Sequence, residues 1–358
     1  MEFQNQFDLL LEGLAYFGRR AAGKDWQYME QRVMRQKIPP SPVLVQILDQ
    51  LKALTGALDQ VTEIEESELQ TLFGNLEGFP YNTIGSSSRA FFLFYPLLAQ
   101  YLEDPGAFAR QVAALDSEQV AWGIASIFED DLPPSRRLDL REFTALVLGL
   151  AAPDSTKVAL LELSQNYAQV SLRAMNHLAP VLQYLREHQS LLADAAQSFA
   201  QYCANVSQAD FFALFSRMRP DPHTAYTIRP FVLGADTNLT FDLAPGRVRF
   251  YCGILRRELT DLVSGRTSTQ DQVCELYRLL GDPTRFDILC YLCGHNAYVQ
   301  ELANRFGLSR NTIHHHMNKL VECGLVQCTV NGNRMYYSLD PETIQLFLQR
   351  QAVLFQKV

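Results

Sequence analysis

The stretch ELANRFGLSRNTIHHHMNKL, residues 301–320, decides how the C-terminal part of this 358-residue chain folds. Apolar residues at helical spacing predict a short helix over residues 298–306, and Gly307 ends it because glycine tolerates the positive φ of a tight turn. Ser309 is a helix-capping residue, and a second helix is predicted over residues 310–322. The two helices and their short turn form a helix-turn-helix pattern. The side chains expected to face its core are Leu302, Ala303, Ile313, Met317, Leu320 and Val321.

Signals on both sides extend this pattern into a small domain. Asp282-Pro283 predicts a capped helix start before it. After it, residues 325–330 and 334–339 alternate between apolar and polar side chains, and Asn331-Gly332 is the pair most favoured in a tight hairpin turn. We therefore expect a two-stranded wing behind the second helix. A last helix is predicted to begin at Asp340-Pro341.

Four segments, in this order and spacing, carry a resemblance to a known family. They are GDPTRFDIL (281–289), ELANRFGLSRNTIHHHMNKL (301–320), ECGLV (322–326) and GNRMYYSL (332–339). Over residues 270–345 the chain resembles the arsenic-repressor-like (ArsR) family of winged helix-turn-helix transcriptional regulators. The resemblance implies a homodimer that binds double-stranded DNA at a pseudo-palindromic operator. It also implies that the protein usually represses transcription until a ligand or another signal releases it.

The outer face of the second helix is the candidate DNA-reading surface, because it lies opposite the apolar residues. The candidates for base edges in the major groove are Asn311, His314, His315 and Asn318. The candidates for phosphate contacts are Ser309, Arg310, Thr312, Lys319 and, in the wing, Arg334. His316 lies on the flank of the helix beside the buried face. We expect it to be packed and hydrogen-bonded rather than to read a base.

The metal sites of the ArsR family are missing by residue identity. Its metalloid sensors carry a Cys-Val-Cys box on the helix before the turn, and the matching positions here are Tyr298, Val299 and Gln300. A second family site uses Asp and His on the final helix, whereas residues 341–358 contain no His. We therefore predict neither a metal site nor a cofactor.

Two other groups of residues have side chains that can ligate a metal. The histidines at positions 314–316 point about 100° apart from one another on a helix, so they cannot converge on one ion. Cys290, Cys293 and His295 remain as an alternative soft-metal or redox site, because Cys-x-x-Cys can chelate zinc. Cys274 is the only further soft ligand nearby in the sequence.

Charge is distributed unevenly along the chain. The chain has 31 Lys+Arg and 39 Asp+Glu, a net charge of −8. Residues 269–358 carry eight basic and eight acidic residues, so the whole −8 belongs to residues 1–268. Few cations mean weak non-specific binding to DNA, and specific binding would then depend on a dimer that reads two half-sites.

Composition and targeting signals indicate a folded cytoplasmic protein. The apolar fraction of 47% excludes a disordered chain. The longest apolar run, residues 90–99, is about half of what crosses a bilayer and contains Pro96. The first ten residues, MEFQNQFDLL, do not resemble a secretory signal, and an odd number of cysteines, seven, suits a reducing compartment.

The fold class is predicted to be mainly α. Residues 5–217 have the spacing of successive helices, and a small antiparallel β segment follows at about residues 224–253. The predicted domains are a helical effector or dimerisation domain over 1–263, a linker over 264–269 and the winged-helix domain over 270–358.

Two functions remain open. The first is a DNA-binding regulator, a repressor by resemblance, whose first domain senses a small-molecule effector or sets the geometry of a homodimer. The alternative is a protein-interaction or enzymatic module whose winged helix has lost DNA binding. The polar stripe on the second helix favours the first, and an enzyme is not expected, because the first domain lacks a nucleotide-binding glycine loop, a zinc motif and a G-x-S-x-G elbow. The residues proposed for dimerisation, an apolar stripe on the last helix, are Ile344, Phe347, Leu348 and Phe355.

Overall fold

The computed structural model describes the chain with several gaps. The described residues are 1–34, 39–77, 88–94, 105–112, 114–129, 132, 135, 137–150, 152–215, 220–259, 276–331, 334–339 and 344–345. Contacts divide the chain into two compact units. Unit 1 comprises Met1–Asn205 and Ala225–Glu258, and unit 2 comprises Val206–Thr224 and Leu259–Val358.

This division differs from the predicted one in Val206–Thr224 and in the boundary, which falls after Glu258 rather than after residue 263. Val206–Thr224 was expected in the first domain, but it groups with unit 2. A prediction that follows the order of the chain cannot detect this, because the division into units depends on which residues are in contact in space. The predicted linker at 264–269 lies outside the described residues.

Unit 1 is predominantly helical, as predicted. Its helices are α1 (Leu9–Ala21), α2 (Trp26–Met34), α3 (Pro42–Val61), α4 (Glu66–Phe73), α5 (Pro105–Val112), α6 (Ser117–Ala125), α7 (Leu140–Gly149), α8 (Asp154–Gln165), α9 (Tyr167–Glu187) and α10 (Gln189–Cys203). Local signals set several of these starts. At α3, for example, Ser41 Oγ accepts a hydrogen bond from the amide of Leu44 at 3.1 Å, and Pro42 follows as the first helical residue.

Helix α1 lies at the centre of unit 1, in contact with α4 and α9. The rings of Phe17 and Phe73 stack with their centroids 4.3 Å apart. Gly13 faces α9, where a Cβ atom would come within 3.0 Å of the side chain of Leu178. The absence of a side chain at Gly13 therefore lets the two helices approach closely.

A four-stranded sheet completes unit 1, and it is mixed rather than antiparallel. Its order is β1 (Glu2–Phe3), β2 (Ala225–Phe231), β4 (Arg247–Gly253) and β3 (Asn238–Ala244). Strands β3 and β4 pair antiparallel across a turn in which Gly246 has φ +71°. Strand β2, however, runs parallel to both β1 and β4. The prediction of an all-antiparallel segment is therefore wrong for β2.

Polar groups on α1 explain this topology. The carboxylate of Glu12 accepts the amides of Val232 and Leu233, just beyond β2, at 2.9 and 2.6 Å. Further along α1, Arg19 forms a buried ion pair with Asp236. These contacts hold the segment after β2 against the helix instead of letting it turn back beside β2. The next strand consequently pairs with β4.

Unit 2 contains the predicted winged helix. Its helices are α11 (Gln208–Phe215), α12 (Pro283–Leu292), α13 (Val299–Phe306) and α14 (Arg310–Glu322), and its strands are β5 (Ala297–Tyr298), β6 (Val326–Asn331) and β7 (Arg334–Leu339). The helix start at Asp282 is confirmed, since its carboxylate accepts the amide of Arg285 at 3.0 Å. The predicted span of α14 matches the observed one.

The wing differs from the prediction in two details. A third strand, β5, pairs antiparallel with β7, and the rings of Tyr298 and Tyr336 lie 5.6 Å apart across this pair. A two-residue strand is too short to show an alternating pattern, so the sequence predicted a two-stranded wing. In addition, Asn331 pairs with Arg334, which makes 332 and 333 the connecting residues rather than 331 and 332. Those two residues lie outside the described part of the chain.

The core of unit 2 lies between α12, α13, α14 and the wing. Ile313, Met317 and Leu320 are fully buried in it. Ile344, a predicted dimerisation residue, is half-buried and packs against this same core, so it has an apolar partner within its own domain, contrary to expectation. Phe347, Leu348 and Phe355 lie outside the described residues. No helix in the described ranges is long and apolar enough to span a membrane.

Candidate nucleic-acid interface

Three local contacts form the turn between α13 and α14. Gly307 takes the left-handed conformation, with φ +65°, as its position in the turn predicted. The amide of the next residue, Leu308, donates to the carbonyl of Ala303 at 3.1 Å. Ser309 Oγ then accepts the amide of Thr312 at 3.2 Å and caps α14. The start of α14 is therefore held by backbone geometry and one side-chain cap.

The two faces of α14 are sharply different. Ile313, Met317 and Leu320 are 0% exposed on the inner face. On the outer face, His315 and Asn318 are exposed. The side chain of Asn311, the third base-edge candidate on this face, lies outside the described residues. An amphipathic helix of this kind presents its polar side chains to a groove while its apolar side anchors it to the domain.

His314, the fourth base-edge candidate, is half-buried rather than exposed. Burial, with a smaller contribution from the nearby positive charge of Arg310, lowers the pKa of His314 to about 4. The imidazole is therefore neutral at physiological pH. A neutral imidazole has one donor and one acceptor nitrogen, so it can pair with a base edge but cannot attract a phosphate by charge.

His316 is packed, as expected, but it lacks the expected hydrogen bond at Nδ1. Its side chain is 12% exposed, and Nδ1 is buried without a hydrogen-bond partner among the described residues. The nearest carboxylate oxygen, Oδ1 of Asp282, is 3.9 Å away, which is too far for a hydrogen bond. His316 therefore faces the start of α12 and not the outer face of α14.

The phosphate candidates fall into two groups. Ser309 and Thr312 lie at the helix start, where their hydroxyl oxygens are 2.9 Å apart. Because Ser309 also caps the helix, an anion at this end would be held mainly by backbone amides of the first turn. Arg310 and Lys319 are half-buried on α14, whereas Arg334 lies in β7 and its side chain is outside the described residues.

Three residues of the alternative metal site lie at the end of α12 and just beyond it. Cys290 and Cys293 are exposed free thiols on and just after α12. His295 Nδ1 lies 3.0 Å from the carbonyl of Tyr291, and the two rings stack at 4.7 Å. Within the described residues, no three His, Cys, Asp or Glu side chains are grouped to hold a metal ion. Cys274 lies outside these residues.

The comparisons with known proteins concern this same part of the chain. Residues 282–327, which run from the cap of α12 into β6, match the family model described as bacterial regulatory protein, arsR family. The arsenical resistance operon repressor of Staphylococcus xylosus is 30% identical over 83 residues, which are 23% of this chain and 80% of the relative. The transcriptional repressor SdpR of Bacillus subtilis is 31% identical over 70 residues, 20% of this chain and 78% of the relative.

A further relative is the HTH-type transcriptional regulator CmtR of Mycobacterium tuberculosis. It is 37% identical over 70 residues, which are 20% of this chain. The chain spans 59% of the length of this relative.

Proposed function

This chain belongs to the arsR family of bacterial regulatory proteins, and from that premise we propose that it is a sequence-specific DNA-binding regulator that acts as a homodimer. The observation that carries the proposal is the construction of α14. Three fully buried residues anchor its inner face, while His315 and Asn318 are exposed on its outer face. A helix held in this way can enter the major groove without losing its place in the domain.

The exposed side chains suggest how bases are read. An asparagine amide can make two hydrogen bonds with the N6 and N7 atoms of adenine, so Asn318 is the proposed adenine contact. His315 is the second proposed base contact, with Asn311 and His314 beside it. Thr312 and Ser309 with the first-turn amides, together with Arg310, Lys319 and Arg334, would hold the phosphates on either side.

We propose repression as the direction of regulation. Two relatives bear the word repressor in their names. A repressor needs only to occupy its operator, and a two-fold dimer with two recognition helices about 34 Å apart would do so at a pseudo-palindromic site.

Dimerisation is supported by apolar side chains that unit 2 leaves exposed. Tyr277 is 48% exposed and Phe286 is 52% exposed. Together with Phe347, Leu348 and Phe355 of the predicted last helix, they are the residues of the proposed dimer surface. Ile344 is left out of it, because it packs against the core of unit 2. Light scattering of the full chain at micromolar concentration should give the mass of a dimer, and Phe286→Asp should shift it toward the monomer. A wild-type protein that stays monomeric would contradict this part of the proposal.

Unit 1 lies outside the segment that matches the family model and has a core of its own. We propose that it senses a small effector or sets the geometry of the dimer.

A gel shift with DNA from the gene's own promoter tests the proposed function. His315→Ala and Asn318→Ala should each weaken specific binding by about tenfold, since a good base contact contributes about 1–3 kcal/mol. Gln345→Ala is the matched control, because Gln345 is an exposed amide outside α14. Specific binding that survives both substitutions would refute the site. A wild-type protein without specific binding at low salt would favour the protein-interaction module.

A further inference from the structure

Unit 1 contains a cavity of about 620 Å³ that the sequence did not reveal. Its wall is formed by residues 5–9, which connect β1 to α1, by the end of α9 and the start of α10, and by Arg229 of β2. This volume lies in the range of small-molecule sites, roughly 300–1,000 Å³. All of these described segments belong to unit 1.

The floor of the cavity is a buried and fully paired polar cluster. Arg229 is 4% exposed, and its Nη1 atom donates to both carboxylate oxygens of Asp8 at 3.0 Å. The other guanidinium nitrogens donate to the side-chain oxygens of Gln4 and Gln6, at 2.8 to 3.2 Å. Every donor nitrogen of Arg229 therefore has a partner, which fixes the shape of the floor and makes the Asp8–Arg229 pair electrically neutral.

The net positive charge of the cavity comes from Arg186 on its rim. Arg186 lines the cavity from the end of α9, and it is exposed. The structure gives it no ion pair or hydrogen bond with any described residue. Among the described lining residues Asp8 is the only carboxylate, and Arg229 already neutralises it, so these residues together have a net charge of +1.

The start of α10 adds to this positive potential. Gln189 and Ser190 are the first two residues of this 15-residue helix, and both line the cavity with exposed side chains. Within the described part of the chain, no side chain caps the helix at His188. The amide of Leu191 in the first turn donates to the carbonyl of His188 at 3.0 Å. The positive end of the helix dipole, which favours an anion, lies at this helix start.

We propose that this cavity binds a small organic anion, a carboxylate or a phosphate ester that also carries hydroxyl or amide groups. Arg186 and the start of α10 would hold the anionic group. Asn5, Gln6 and Ser190 would pair with the polar groups of the ligand, while Phe7, Leu9 and Ala193 supply apolar contact. Binding of the anion does not depend on the proposed function. Only the role of this anion as the effector of the regulator rests on it.

The test is calorimetric titration of the full chain, without DNA, with citrate, glucose 6-phosphate and neutral glucose as probes. At least one anionic probe should bind saturably. Arg186→Gln removes the unpaired cation and should weaken that binding at least about tenfold. Ser190→Asp should do the same by repulsion, and it should not harm folding, because an acidic residue in the first turn stabilises a helix.

Arg141→Gln is the matched control, since Arg141 is an equally exposed arginine that does not line the cavity. It should leave binding unchanged. The proposal is overturned if neither anionic probe binds up to about 10 mM, if binding survives both cavity variants, or if glucose binds as well as glucose 6-phosphate. Because no DNA is present, each of these results is distinguishable from a failure of the DNA-binding function.

Discussion

Glu12 provides a quantitative test of how α1 holds the sheet of unit 1. Its side chain is 1% exposed, and its two carboxylate oxygens accept the amides of Val232 and Leu233. Burial, which outweighs the lowering effect of the two amides, raises the pKa of Glu12 from 4.5 to about 8, with a smaller contribution from the charge of Asp8. The perturbation is Glu12→Gln, which keeps the size but removes titration and one of the two acceptor oxygens.

The sign of the pH effect follows from the raised pKa. The folded state holds the proton more tightly than the unfolded chain, so this stabilisation is complete below pH 4.5 and is lost as the pH rises toward 8. Between about pH 5.5 and 7.5, wild type should lose about 1.4 kcal/mol of unfolding free energy per pH unit from Glu12. Glu12→Gln should lack this contribution and, at pH 5.5, should be less stable by about 1–3 kcal/mol because one amide loses its acceptor.

Urea unfolding followed by tryptophan fluorescence measures this difference in unit 1 alone. The two tryptophans of the chain, Trp26 and Trp122, both lie in that unit. The stability gap between wild type and Glu12→Gln should change by about 2–3 kcal/mol between pH 5.5 and 7.5 in favour of the variant. Glu142→Gln, at an exposed position on α7, should show a constant gap. A constant gap for Glu12→Gln as well would refute the reasoning.

Three further predictions concern unit 2. Ser309→Ala removes the cap of α14 and should destabilise unit 2 by about 1 kcal/mol, whereas Ser309→Asp should keep the cap and the stability. Urea unfolding followed by circular dichroism measures both variants. An equal loss of stability in the two would contradict the capping role. His314 should remain neutral, because burial and Arg310 lower its pKa to about 4, so the ratio of operator affinities of wild type and His314→Gln should stay constant from pH 6 to 8 in fluorescence anisotropy. A tenfold change in that ratio would show that His314 titrates in this range. A dimer with Arg310, Lys319 and Arg334 as the basic contacts of each protomer makes six phosphate contacts. A plot of the logarithm of the DNA-binding constant against the logarithm of salt concentration should therefore have a slope of about −5. A slope near −10 would require phosphate contacts from further cations.

Local signals predicted the helix-turn-helix with little error. Capping by Ser309, the positive φ of Gly307 and the apolar spacing of Ile313, Met317 and Leu320 each act over a few residues. Such effects are readable from sequence because the interacting groups are neighbours in the chain. The family resemblance, confirmed by the match at residues 282–327, depends on the same segments.

The errors arose where distant residues meet. Strand β2 runs parallel to β4 because Glu12 on α1 holds the residues that follow β2, and these partners are 220 and 221 positions apart. Helical periodicity places His314 on the outer face of α14, yet in the folded protein its side chain is half-buried. No local sequence pattern around these residues indicates contacts between residues so far apart in the chain.

The sequence by itself determined the helical class, the winged helix and the family, since capping, turn geometry and side-chain periodicity are short-range properties. Only the tertiary structure decided the mixed sheet, the neutral state of His314 and the existence of a cavity between Arg186 and Arg229. Burial and the pairing of charges depend on which elements meet, and a charge such as that of Arg229 is neutralised only when Asp8 lies beside it. The net charge of a site is therefore a property of the fold, whereas the net charge of the chain is a property of its composition.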